Sequence, residues 1–563
     1  MKTLYRVSLI IMLCSFGVSC KNNFLDEESL SFLSTDNAFQ TAEDFHASIN
    51  NLHALVRSEF YTSTDWQPMH YLYRTDLGVE VPVGSNPNLS AEFGPDGTLP
   101  NNHWSQIYKI VAEANTVLSR IPASQLSESD RVYFEAQARF FRAFGYRTLA
   151  YLFGGVPLVL EEIVTEKTDF VRATKKEVLT QVIEDLQFAS TNLPGITVVK
   201  DGEISNLAAY HLLAEVYLAD GQFQNAVNAA TVVIDDPATD LMRNRFGSRS
   251  TVTPGDVYWD LFQSKNQNRK TANNTEAIWV IQLETDVQGG SAVSTAMAGN
   301  YQLERVHVPL YRDMRVNGVA LFQWPIGDYT GGRGVGFLQP SLYFADTVWQ
   351  SDFNNDIRNA NHNFVREVVA TNPGSPFFGQ VISTSNPPPG AGITFPSRVF
   401  YPYQSKATTP FNHPAGLYVD PGSSDPIKKY ELKATAGGTY ADQYMFRLAE
   451  TYLLRAEAYF GLPNAGAAAL DINAVRSRAN ASPVDAGDVT IDYILDERLR
   501  ELGVEEKRML TLMRLGKLYD RVKRCNPFYG VNMQPHFNLW AIPQGEIERN
   551  RGAVLEQNPN YNQ

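Results

Sequence analysis

The sequence predicts an all-α protein, a scaffold of tetratricopeptide-like helix pairs with a large loop-rich mid-chain ligand-binding subdomain. Three observations predict it. In residues 134–161, FEAQARFFRAFGYRTLAYLFGGVPLVLE, Glu135, Arg139 and Arg142 form one polar stripe while phenylalanines, leucines and alanines cover most of the remaining circumference, so this helix must be packed on several sides. In AAYHLLAEVYLADGQFQNAVNAATVVID, residues Leu213, Ala214, Tyr217, Gly221, Phe223, Ala226 and Ala230 sit at tetratricopeptide offsets, and Ala456, Tyr459, Ala468 and Ile472 repeat the pattern in a second copy. Between the copies, residues 237–440 hold few long helical patterns and many Gly, Pro, Asn and aromatic residues.

Taken in order, the chain begins with Lys2 and Arg6, an apolar run over 7–16, and the small residues Gly17 and Ser19. That pattern predicts a signal peptide over residues 1–19 that is too short for a stable membrane anchor. Cys20, directly after Ser19, is then expected to be the first mature residue of a lipoprotein, carrying a lipid anchor. The formal charge of −13 over 563 residues becomes −15 without the leader, which holds two bases and no acid; this argues against nucleic acid or anionic lipid as a partner. Of three cysteines, Cys14 leaves with the signal and Cys20 takes lipid, so Cys525 has no partner for an internal disulfide.

Residues 20–36 are expected to form a lipidated, acidic tether. An N-terminal helical part follows over 37–236, with a first helix near 37–57, a ligand loop at 58–103, a helix at 104–121, the central helix from about 129, and a helix near 174–192. The pair described above completes this part, and two recognisable copies with two further helix pairs predict about four stacked units. Pro157 after Gly154 and Gly155 forces the central helix to exit as extended chain. The loop-rich subdomain spans 237–439 with one strand at 277–284. The C-terminal part, 440–563, carries the second pair, a charged helix over 490–516 and an extended tail.

No motif carries catalysis. Glu497, Glu501 and Glu505 lie at successive i+4 positions among Arg498, Arg500 and Arg508, and acids stacked on one helix face point in parallel rather than across a cleft, as a glycosidase pair must. Asp352, Asn354 and Asp356 alternate like calcium ligands but lack the glycine and closing glutamate of that loop, and the nine histidines show no zinc spacing, so no metal is expected. The glycines around Arg333 and Val335 lack the strand and helix that a phosphate loop requires. The positive signal is aromatic residues in loops, because Trp and Tyr cover the apolar faces of sugar rings while Asp, Asn and Arg take the hydroxyls. The candidates form two groups: Trp66, Tyr71 and Tyr73 with Asp65 and Asp76, then Tyr301, Tyr311, Trp324, Tyr329 and Trp349 with Arg305 and Asp328.

The run FFRAFGYRTLAYLFGGVPLV resembles the signature helix and Gly-Gly-hydrophobic-Pro exit of the SusD/RagB family of outer-membrane nutrient-binding lipoproteins. Further pieces extend the resemblance, in order, along essentially the whole mature chain. They are Cys20, the FLD of residues 24–26, the Trp104 helix, Asn355-Asp356-Ile357-Arg358, the helix of residues 447–459, ERLREL and EEKR within 497–508, Ile542-Pro543 and Gln557-Asn558-Pro559. Glu506 stands where the family often has glycine. The resemblance implies capture of an oligosaccharide or polysaccharide and its delivery to a TonB-dependent SusC-like transporter, without cofactor or bond cleavage. It also implies a lipid anchor in the outer membrane, facing outward, and ligand loops after the first helix and in mid-chain. Two alternatives keep the surface location: the same fold binding peptides, as RagB-like members do, or a surface glycoside hydrolase. A tetratricopeptide assembly adaptor without small ligand is a third.

Overall fold

The computed structural model describes residues 39–61, 67–81, 88–287, 290, 301–324 and 327–561. Cys20, Trp66 and the leader and tether segments lie outside the described residues. Eleven helices carry the architecture: α1 Ala42–Phe60, α2 Thr98–Arg120, α3 Glu128–Phe153, α4 Lys175–Asn192, α5 Asn206–Ala219, α6 Phe223–Ile234, α7 Leu448–Gly461, α8 Ala465–Arg478, α9 Ile491–Glu501, α10 Arg508–Arg514 and α11 Leu518–Cys525. From α1 to α8 each packs on the next, and the step from α6 to α7 joins the two tetratricopeptide-like pairs across the long insertion. Gly461 makes that step possible, since a Cβ there would lie 2.5 Å from the Phe223 ring.

The central helix α3 shows why the scaffold closes. Ser127 caps its start, its hydroxyl accepting from the Asp130 amide at 3.2 Å, and Gly154 ends it at φ +74°. Phe134, Phe140, Phe141, Phe144 and Phe153 are fully buried on several sides, each worth roughly 1.5–3 kcal/mol of apolar transfer. Gly145 lets α2 approach, because a Cβ would sit 2.9 Å from Val111. The polar stripe faces α4, where Arg139 and Arg142 converge on Asp185 at 3.0 and 2.8 Å. The tail satisfies the last carbonyls: Asn558 donates to Phe153 and Trp540 at 2.9 and 2.7 Å, and the Trp540 amide donates to Leu152 at 2.7 Å.

The insertion leaves and rejoins the scaffold through an antiparallel pair. Strand β2 (Ala277–Ile281) lies beside β4 (Gln443–Arg447), with Gln443 opposite Ile281 and Tyr444 opposite Val280. Trp279 projects from β2 onto Phe140, Phe144 and Phe446, each ring 5.5 Å away. The expected strand at 277–284 stops at Ile281, because Leu283 donates its amide to the Asp442 carboxylate at 2.6 Å. Strand β1 (Gly78–Glu80) pairs with β3 (Leu338–Pro340), tying the early loops to the insertion. Within the insertion, small separate cores form, one around Val308, Tyr311, Phe322, Phe400 and Tyr403, another around Leu417, Tyr418 and Leu432.

The charged helix expected over 490–516 is broken into α9, a 3₁₀ turn and α10. Gly503 adopts φ +48°, and a side chain there would run into Gln404, whose Oε1 accepts from the Val504 amide at 3.0 Å. The acids do form a structural lattice. Glu501 accepts from Arg447 at 2.5 Å, Arg358 at 2.9 Å and Arg478, while Glu497 accepts from Arg358, Arg476 and Arg500 at 2.7–2.9 Å. Asp356 grips Arg358, and Asp352 grips Arg476 at 2.6 Å, which gives the alternating acids of 352–356 their role. Burial alone would raise Glu497 and Glu501; the surrounding arginines outweigh it and hold both well below the usual carboxylate range.

Candidate ligand-binding surface

Five residues singled out as ligand contacts are core residues. Tyr71 is fully buried and donates its hydroxyl to Glu59, and Tyr73 is 1% exposed. Asp76, fully buried, accepts from Arg508 at 2.7 Å and Arg521 at 2.8 Å; burial would raise its pKa, but these two arginines pull it down to about 2. Tyr301 sets its ring edge on Tyr61 at 5.1 Å, and Trp349 donates Nε1 to the Phe344 carbonyl at 2.8 Å with its ring against Phe364. None of these offers an open ring face, and Tyr311 is buried likewise. The described part of the expected ligand loop 58–103 is thus largely scaffold. The physical reason is that β1 and the 3₁₀ turn Gln67–Tyr71 draw it inward.

Trp324 is different. It is 48% exposed, with Arg312 and Arg333 carbons 5.5 and 5.4 Å from its ring centre. Tyr329 is half-buried, and burial pushes its hydroxyl up to about 12. Gln323, next to Trp324, donates to Glu431 at 3.4 Å, and the half-exposed Phe411 ring stands edge-on to Tyr430 at 4.8 Å.

Phe411 precedes Asn412 in the wall of a pocket of about 490 Å³ lined mostly by polar residue types, including Ser248, Lys265, Asn268, Asp286 and Asp442, together with Pro414, Tyr440 and Ala441. Hydroxyls, amides and carboxylates in a concave site are the partners that a polyhydroxylated ligand needs. The wall is held in place. Asn268 donates to the Asp442 carboxylate at 2.7 Å, and burial raises that carboxyl. His413, fully inside, lies between Glu304 at 2.8 Å and Asp328, while Thr408 and Tyr418 donate to the same two acids. Burial would lower the His413 pKa, yet Asp328 and Glu304 together hold it well above its ordinary value, so an imidazolium fastens the loop of 408–418 to the helix Leu303–His307. The glycines around Arg333 serve the same packing: at Gly332, with φ +101°, a Cβ would collide with Glu304.

Of the residues singled out from the sequence, Trp324 and Tyr329 are the ones the structure leaves at this surface; Phe411, Asn412, His413 and the Asn268–Asp442 pair beside it were not singled out. The available signal was PFNHP at 410–414, an aromatic with Asn and His bracketed by prolines.

A helix-pair scaffold whose acidic helix is neutralised internally, and whose insertion turns a polar pocket and an open indole to solvent, defines a ligand-binding protein. No helix among the described residues is long and apolar enough to cross a membrane. The chain belongs to the SusD family: the SusD family model matches residues 275–561, and a second, described as starch-binding associating with outer membrane, matches residues 23–218. The SusD-like protein P2 of Formosa agariphila is 26% identical over 99% of both chains. Among solved structures, a laminarin-binding SusD-like protein is 20% identical at TM-score 0.63, with 93% of this chain and 100% of that one covered. Surface glycan-binding protein A from Bacteroides thetaiotaomicron is 19% identical at TM-score 0.64, with the same coverage.

Proposed function

We propose that this protein captures an oligosaccharide or polysaccharide on the mid-chain face and delivers it to a TonB-dependent SusC-like transporter. In this reading lipidated Cys20 anchors it in the outer membrane, facing outward, and residues 237–439 serve as the ligand subdomain. The observation that carries the reading is the half-exposed Trp324 indole and the half-exposed Phe411, the latter next in sequence to Asn412 of the pocket wall. The indole and Phe411 supply apolar area for sugar-ring faces, and the pocket wall supplies hydroxyl partners. The laminarin and glycan named for relatives of the same fold support this cargo class, and the outer-membrane description of the second matching family model supports the location.

The test uses the mature chain with Cys20→Ala in calorimetric titrations and native gels against soluble polysaccharides, with a casein digest as control. At least one glycan binds, its chain length is unchanged after overnight incubation, and Trp324→Ala weakens binding about tenfold, near 1.4 kcal/mol. Heat only with the digest, or release of new reducing ends, would overturn the reading.

A further inference from the structure

We propose that residues 30–33 of this chain, LSFL, dock in an apolar groove beside α2, which seats the N-terminal segment on the body. The groove encloses about 450 Å³ between α2, the extended chain that leaves α3, and the C-terminal tail. Trp104, Tyr108, Pro157, Val159, Phe170 and Leu555 line it. None of its lining residues belongs to the mid-chain insertion, so it is separate from the surface at Trp324. Its border is apolar as well. Leu160, Val164, Val171 and Val554, each next in sequence to a lining residue, are exposed, and Ile163 of the wall is 48% exposed. Single exposed aliphatic residues are ordinary, but several gathered at one apolar cavity mark a surface that something covers.

The occupant follows from where the described chain starts. It enters at the C-terminal end of α2, where the Gln125 amide donates to the Gln40 carbonyl at 3.1 Å. Counted back from Arg120 along α2, the groove begins at Thr116, about 6 Å away, and runs to Trp104, about 24 Å away. Leu33 and Leu30 precede Phe39 by six and nine residues, an extended reach of about 20 and about 30 Å. These residues therefore reach the groove with little slack. Leu30 and Phe32 stand two apart, so an extended chain presents both on one side. Charge selects the same stretch. Lys109, Glu161 and Glu546 stand at the groove, with Glu162 paired to Arg120 at 2.7 Å, which leaves it mildly acidic. Residues 29–35 carry no charge, whereas Asp26, Glu27 and Glu28 would meet like charge there. Being on the same chain, the segment is held at an effective concentration on the order of millimolar, above that of any partner in dilute solution. With lipid on Cys20, docking at residue 30 leaves residues 21–29 as free tether, about 30 Å at full extension instead of about 60 Å for residues 21–38, and holds the α2 side toward the membrane.

The experiment is disulfide trapping in the mature Cys20→Ala chain, whose remaining Cys525 is buried. Ser31→Cys is combined with Lys109→Cys at the groove and, as a control also within its reach, with Glu43→Cys on the exposed side of α1. Under mild oxidation the Lys109→Cys combination closes within one chain about tenfold faster than the control. A second measurement needs no cysteine. Leu30→Ser with Phe32→Ser raises the binding of an apolar fluorescent dye several-fold, and adding Ile163→Glu removes the increase, which places the dye in the groove. Equal closure rates at the two positions overturn the proposal. Dye binding that the double variant leaves unchanged overturns it too, since the groove is then open in the free protein and kept for another partner. Cross-links between chains that grow with protein concentration overturn it in favour of a second copy in the groove.

Discussion

Trp324 and Trp349 come from neighbouring stretches of one insertion, and the fold gives them opposite tasks. Trp349 is 1% exposed with its indole nitrogen bonded to Phe344, so Trp349→Ala is expected to cost about 3–5 kcal/mol, read from chemical denaturation. Trp324→Ala is expected to leave the denaturation midpoint nearly unchanged while weakening ligand. Asp76 gives a sharper residue-scale expectation. Its folded pKa is depressed to about 2 from 3.8, so its contribution is full above pH 4 and is lost as pH falls through 2. The stability gap between wild type and Asp76→Asn should be flat from pH 5 to 8 and close below about pH 4; a gap that persists in acid would mean the pairing with Arg508 and Arg521 contributes little. These fates were not legible in the sequence. Composition places Tyr71, Tyr73, Trp324 and Trp349 alike in proline-broken stretches without periodicity, and only periodicity reports which side of a segment faces the core.

At the scale of elements, the helices were legible because their apolar residues recur at helical spacing and their ends carry Ser127, Thr174 and Gly154. The charge lattice around Glu497 and Glu501 was legible as structural for a similar reason, since acids and bases alternate along one face. The break at Gly503 was not, because it answers to Gln404, which is remote in sequence. The pocket wall was equally hidden: its Asn and Ser residues have no spacing rule, and His413 acquires its role only when Glu304 and Asp328 arrive. That brace makes a testable element. Its folded pKa lies well above 6.5, so the stability it confers is complete below that value and fades as pH rises through the elevated one. The melting-temperature gap between wild type and His413→Gln should therefore be widest near pH 6 and narrow in alkali. A gap that widens with pH would show a neutral imidazole.

Across the whole molecule, distant parts of the chain complete one another. Asn558 closes the carbonyls of Phe153 and Trp540, so Asn558→Ala is expected to cost about 1–3 kcal/mol and to speed amide exchange at the end of α3, seen by hydrogen exchange. Asp76 lies 432 residues from Arg508 and 445 from Arg521, and the lattice joins Glu276 and Arg358 of the insertion to Arg447 and Glu501 beyond it. These links carry a consequence in time. A growing chain that has not yet delivered Arg508 holds an anion at Asp76 with no counter-charge, and its early helices have no finished interior to settle into. Chains truncated before α10 are expected to be cut by protease at the rate of unfolded protein, whatever their helix content, while the full chain resists. Durability then arrives late and at once, when the segment from Arg508 onward emerges, and quality control has a single moment at which to judge the product.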